Sequence, residues 1–126
     1  MRGKLLIVPA LAVTLAAGVT AGAGAAVDTD TTVTIKAEGT DLSGRVKSPK
    51  PLKCADGRKV IVFKQKGARG GGDDVKFATD TASLEGDVYR WNTGNTGTEG
   101  RFYAKVRRID GCKGDTSKTI RAVRND

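Results

Sequence analysis

The chain has no histidine among its 126 residues. That absence excludes Ser-His-Asp and Cys-His nucleophilic sites and zinc centres built on imidazole. Cysteine is almost as scarce, with only Cys54 and Cys112. They are far apart, with no CxxC spacing, so neither redox exchange nor metal binding fits them. In an oxidising compartment an isolated pair reads as one disulfide. Closing a loop of that length stabilises a fold by about 4 kcal/mol on loop entropy. Bridged thiols also leave no cysteine nucleophile. Aromatics are few: one Trp, two Tyr and three Phe. A small domain needs its large side chains inside, which places Trp91 in the core. No catalytic residue, cofactor or metal ligand set is expected.

Residues 1–26 have the order of a secretory signal peptide. Arg2 and Lys4 open it, an apolar run follows from Leu5 to Val19, and Ala21-Gly22-Ala23-Gly24-Ala25-Ala26 supplies small residues for a peptidase. The apolar run is short of the roughly 20 residues that span a bilayer. The expectation is a protein secreted, extracellular or associated with the cell envelope, with no transmembrane segment in its mature part. Residues 27–126 then form a single domain of about 100 residues, enough for one modest core. Without Arg2 and Lys4, twenty Lys and Arg stand against fourteen Asp and Glu, a net +6. Such a charge favours acidic partners.

The mature part is a series of short, alternating apolar runs cut by Gly, Pro, Asn and Asp. Thr31–Ala37 and Leu42–Lys47 alternate with period two, the second placing Leu42, Gly44 and Val46 on one side. Ser48-Pro49-Lys50-Pro51 ends it, because proline cannot donate to a ladder. Val60-Ile61-Val62-Phe63 does not alternate and reads as a central strand buried on both faces. Asp74–Thr79, Gly86–Trp91, Arg101–Arg108 and Ser117–Val123 complete the set. Gly67–Gly72 reads as a flexible hairpin loop. The spacing predicts an all-β fold: a seven-stranded antiparallel β-sandwich, prealbumin-like or Ig-like, with one disulfide.

Leu42-Ser43-Gly44-Arg45-Val46, a proline-containing turn and Gly57-Arg58-Lys59-Val60-Ile61-Val62-Phe63 resemble the opening of carboxypeptidase regulatory-like domains, which are prealbumin-like sandwiches. Ala78-Thr79-Asp80, Gly86 and Trp91 are similar to the central segment of that family. Gly100 to Val106 resembles its closing strand. The chain is also similar to small secreted bacterial proteins with a Lys-rich β domain and two cysteines, a likeness that implies no activity. Prealbumin-like enzymes that hydrolyse 5-hydroxyisourate rely on histidines and a C-terminal Tyr-Arg-Gly-Ser. This chain has no histidine and ends Arg-Ala-Val-Arg-Asn-Asp, so the resemblance does not extend to that activity.

Several residues bear on binding. Asp73, Asp74 and Asp80 could hold calcium, although their spacing is not that of an EF-hand and Asp and Gly also fill ordinary turns. Asp80 and Asp87 have the residue types of a glycosidase pair but lack an evident cleft. Tyr103, Lys105 and Arg107 share the outer face of one strand. Lys64 and Lys66 join them if the third and sixth candidate strands are neighbours. These five residues are the candidate binding face, a basic patch with one aromatic. The expected function is a monomeric, non-catalytic module, structural or adhesive at the cell envelope, that binds anionic polymer or protein weakly. No specific nucleic acid is implied. The alternative is a secreted inhibitor or other protein-interaction module using Gly67–Gly72 or Asn92–Gly97 as its reactive loop.

Overall fold

The period-two runs of the sequence become two antiparallel sheets in the computed structural model, which describes residues 27–125. The expected signal segment lies outside the described residues. In the first sheet, β1 (Thr32–Val33) and β2 (Lys36–Glu38) both pair with β3 (Asp41–Lys47). Next comes β7 (Val88–Asn95), with β6 (Ser83–Glu85) at the edge. In the second sheet, β9 (Asp115–Thr116) and β10 (Ile120–Ala122) pair with β8 (Gly100–Val106), and β4 (Lys59–Lys64) and β5 (Val75–Thr81) follow. The one helix among the described residues, α1 (Pro51–Cys54), begins on a proline, whose missing N–H costs nothing at that position. Among the described residues no helix is long and apolar enough to cross a membrane.

The two sheets share one core. Val33, Leu42, Val46, Tyr89 and Trp91 from the first meet Val60, Val62, Phe102, Ala104 and Val106 from the second. On β3 and β8 these are the inward positions that the alternation marked; on β4, whose apolar run does not alternate, the structure turns Val60 and Val62 to the core. At Val62 and Phe63 the pairing of β4 with β5 shifts by one residue. The bulge lets both Phe77 and Ala78 pack on the core, with the Phe77 ring 4.9 Å from that of Phe102.

Two departures from the sequence expectation have clear causes. The run Thr31–Ala37 is not one strand, because it breaks at Thr34 and Ile35. There the indole Nε1 of Trp91 donates to the Thr34 carbonyl at 3.1 Å. Gly44, directly opposite Trp91 in the ladder, makes room: a Cβ there would lie 1.9 Å from the Thr34 oxygen. The second departure is β6, where Ser83, Leu84 and Glu85 are all exposed and carry no inward pattern. Buried Ala82 turns the chain from one sheet to the other, tied by hydrogen bonds to the backbone of Arg58 and Gly57.

Two carboxylates clamp the sheets together. Asp80 of β5 accepts from the backbone N–H of Asn92 at 2.7 Å, and Asp115 of β9 accepts from that of Val33 at 2.8 Å. Each reaches a strand of the opposite sheet. At one end, Cys54 and Cys112 form the expected disulfide, with Cα atoms 5.6 Å apart and both residues fully buried. Beside it sits Arg58, buried and without a carboxylate among its hydrogen-bond partners in the described residues. Its guanidinium donates to the carbonyls of Cys54 (2.9 Å), Arg107 (2.6 Å) and Lys113 (2.9 Å) and to the Thr31 hydroxyl (3.3 Å).

Replacing both cysteines by serine is expected to lower unfolding stability by about 4 kcal/mol, read as a lower midpoint in chemical denaturation. Gly44→Ala is expected to cost about 3 kcal/mol or more, since it overpacks the site and displaces the Trp91 hydrogen bond. Ser43→Ala, on the outer side of the same strand, should leave the midpoint nearly unchanged.

Candidate functional site on the outer face of the second sheet

The register decides which side chains share the outward face. Phe102, Ala104 and Val106 point into the core, so Arg101, Tyr103 and Lys105 of β8 point out. Ile61 stands opposite Lys105 and Phe63 opposite Tyr103 on β4. Thr79 and Lys76 continue these rows on β5, and Thr116 stands opposite Lys105 on β9. Arg101 stands opposite Arg121 of β10. Lys59 shares this face, and Arg107 follows just beyond β8. The result is a sheet surface with cations on four strands around an apolar spine of Ile61, Phe63 and Tyr103.

That spine is covered. Tyr103 is only 5% exposed and Ile61 3%, which agrees with the reading of Val60–Phe63 as buried on both faces. The rings of Phe63 and Tyr103 stack, with centroids 5.3 Å apart. Over them lies the glycine-rich segment, which is anchored through one carboxylate. Asp74 accepts from the Tyr103 hydroxyl (2.5 Å), the Gly70 N–H (2.8 Å) and the Lys66 N–H (3.3 Å). Arg101 donates to the carbonyls of Lys66 and Gly67 at the root of the segment. Arg69 donates to the Ser117 carbonyl. Phe63, Arg69, Gly70, Gly72, Asp74, Tyr103, Lys105 and Thr116 line a cavity of about 420 Å³ under this strap.

The hydrogen bond from Tyr103 holds the Asp74 carboxyl below its ordinary range. Burial, and then the bond to Asp74, push the Tyr103 hydroxyl up to about 12. The signs follow from linkage. The Asp74 contribution is complete above the ordinary carboxylate range and is lost as pH falls through its lowered value. The Tyr103 contribution is complete below the ordinary tyrosine range and is lost as pH rises through about 12.

Of the five sequence candidates, Tyr103, Lys105 and Arg107 share this face. Lys64 does not, because it stands opposite core-facing Phe102 and its tail lies beside Gly100. Lys66 is exposed at the root of the strap, where its backbone N–H donates to Asp74 and its carbonyl accepts from Arg101. Tyr103 is not a free aromatic platform, since the strap and Phe63 cover it. Gly67–Gly72 is tied down where the sequence read as a flexible loop, because Asp74 accepts from the Gly70 N–H and Arg101 and Arg69 fix the segment to the sheet. Of the other candidate loop, Asn92–Asn95 belongs to β7. The calcium candidates separate: Asp74 holds the strap and Asp80 clamps Asn92. Among the described residues no three acidic, cysteine or histidine side chains gather around a metal-sized position. Lys59, Lys76, Arg101 and Arg121 escaped notice because their shared face depends on strand order and on the bulge, neither of which local alternation reveals.

No known protein family matches the chain. No curated protein matches it either.

Asp74→Ala is expected to bring the tyrosinate midpoint of Tyr103 down from about 12 toward 10.0, followed by ultraviolet absorbance during alkaline titration. The same substitution should speed amide exchange at Gly70, as the strap loses its anchor. An unchanged midpoint would show that burial alone sets the value.

Proposed function

We propose that this chain is a secreted, monomeric, non-catalytic module, structural or adhesive at the cell envelope, which binds anionic polymer weakly through the outer face of the second sheet. One observation carries the reading: the charges are sorted. On the strands of that sheet, Asp80 and Asp115 are spent on backbone N–H groups of the other sheet. Asp74 is spent on Tyr103 and the strap. Lys59, Lys76, Lys105 and Arg107 are exposed on the outer side. Arg101 and Arg121 stand directly opposite each other, an arrangement that destabilises a sheet unless the charge is offset. A polyanion supplies that offset. The outer face of the first sheet is also basic, through Arg45, Lys47 and Arg90, but there Glu85 lies 3.9 Å from Arg90.

The finer fold assignment belongs with this reading. The orders β1/β2–β3–β7–β6 and β9/β10–β8–β4–β5 support an Ig-like sandwich. They follow the ABED and GFC sheets of that architecture, with β5 as an added strand beside C. Secretion rests on residues 1–26 and is consistent with the disulfide.

The test is co-sedimentation of the oxidised protein with envelope material from the producing cell. Retention at low salt and release at high salt are expected, because exposed charges are screened within about 8 Å at physiological ionic strength. The double substitution Lys76→Glu and Lys105→Glu should abolish retention without lowering the melting temperature. Absence of retention at low salt would sink the proposal. Retention that ignores both salt and the double substitution would favour a loop docked in a protein cleft.

A further inference from the structure

At the disulfide end of the second sheet the outer face closes into a second cavity, of about 290 Å³, lined by Arg58, Lys59, Ile61, Arg107, Arg108 and Ile109. Four of the six are basic, two are aliphatic and none is acidic. Ile61 contributes a buried apolar wall, and Ile109, 43% exposed, contributes an open one. The cations differ in how their charge is met. Arg108 is held by Asp28 through two contacts, at 2.5 and 3.2 Å. Among the described residues Arg58 is met only by neutral carbonyls and a hydroxyl, and burial lowers its pKa. Neither Arg58, Lys59 nor Arg107 forms an ion pair among the described residues. A buried cation without a counter-ion is costly, and an anion seated beside it removes part of that cost.

We propose that this cavity binds a small amphipathic anion, its phosphate, sulfate or carboxylate head on Lys59 and Arg107 within the field of Arg58, and its aliphatic body against Ile61 and Ile109. An inorganic ion meets the charges but leaves the isoleucine walls wet. A neutral alkyl chain does the reverse. The volume sits at the lower end of small-molecule sites, which begin near about 300 Å³, so the ligand is the size of an alkyl phosphate. This goes beyond polymer binding, which needs only exposed charge along the sheet. The shared chemistry is found in a free alkyl anion and in the headgroup region of an anionic lipid.

The experiment titrates the oxidised protein, expressed from the full chain, with hexyl phosphate, butyl phosphate, inorganic phosphate and hexanol. Calorimetry gives affinity, and methyl NMR follows Ile61 and Ile109. Hexyl phosphate is expected to saturate one site and to shift those two isoleucines first. Each methylene between butyl and hexyl phosphate should tighten binding, by up to about fourfold at full burial. Inorganic phosphate and hexanol should each bind about tenfold more weakly or worse. Ile109→Ser should weaken hexyl phosphate and leave inorganic phosphate unchanged, and because Ile109 is partly exposed this variant keeps its fold. Arg107→Gln should weaken both anions while its carbonyl still serves Arg58. Equal affinity for inorganic and hexyl phosphate overturns the proposal, as do shifts centred on Phe63 and Tyr103. Displacement of bound hexyl phosphate by phosphatidylglycerol vesicles, and not by phosphatidylcholine vesicles, assigns the lipid headgroup as the source. Retention of hexyl phosphate against both assigns a free anion. The Lys76→Glu, Lys105→Glu protein separates the two sites, because it should lose envelope retention and keep hexyl phosphate.

Discussion

The contact between Trp91 and Gly44 is the constraint around which the two sheets are arranged. Trp91 is the largest fully buried side chain, and its indole needs both apolar surroundings and a partner for its N–H. The glycine opposite it leaves the indole N–H room to reach the carbonyl of Thr34. That single donation breaks the first edge strand into β1 and β2. A broken edge is a poor template for pairing with another chain, so the same contact that fills the core also blunts the sheet. On the far edge, Asp80 occupies the Asn92 N–H beyond the short strand β6, which closes another open donor.

Those edge contacts account for the charge distribution as well as for the packing. A carboxylate that accepts from a backbone N–H is held in place and its charge is partly used. Asp80, Asp115 and Asp74 all serve in this way. Asp28 and Asp30 neutralise Arg108 and Lys113 near the disulfide end. Lys59, Lys76, Lys105 and Arg121 have no such internal employment and stay exposed on the surface, while Arg101 serves two carbonyls of the strap. A modest net charge thus becomes a strongly one-signed face. The basic face is a by-product of where the fold needs acceptors, and binding would exploit what packing left over.

Much of the architecture was legible in the residues. Alternation marked the inward positions of β3 and β8, the unbroken run Val60–Phe63 marked a strand covered on both sides, and the two cysteines marked the staple. What escaped was everything set by pairing between distant segments. Lys64 looked like a partner of Lys105 on the condition that the third and sixth candidate strands are neighbours; they are, yet ladder parity turns Lys64 to the other side. The bulge that sends both Phe77 and Ala78 inward also sends Lys76 outward, and no local pattern announces it. Asp74 resembled a turn residue or a calcium ligand. Its task of holding the strap to Tyr103 depends on a tyrosine 29 residues away. Glycine content suggested mobility at Gly67–Gly72, whereas contacts from Asp74 and Arg101 outside the run, and from Arg69 within it, tie it to the sheet.

The disulfide end is held by a second linkage besides the S–S bond. Arg58 draws its acceptors from Thr31, Cys54, Arg107 and Lys113, which belong to segments at the beginning, middle and end of the domain. None of the carbonyls alone compensates a guanidinium removed from water, so the cluster has no stable half-built form. The same meeting of the segment before β4 with the segment after β8 brings the two sulfurs together. Any opening that parts those segments therefore takes acceptors from a buried guanidinium as well as loading the disulfide, so this end of the domain resists separation through two linkages, one covalent and one polar.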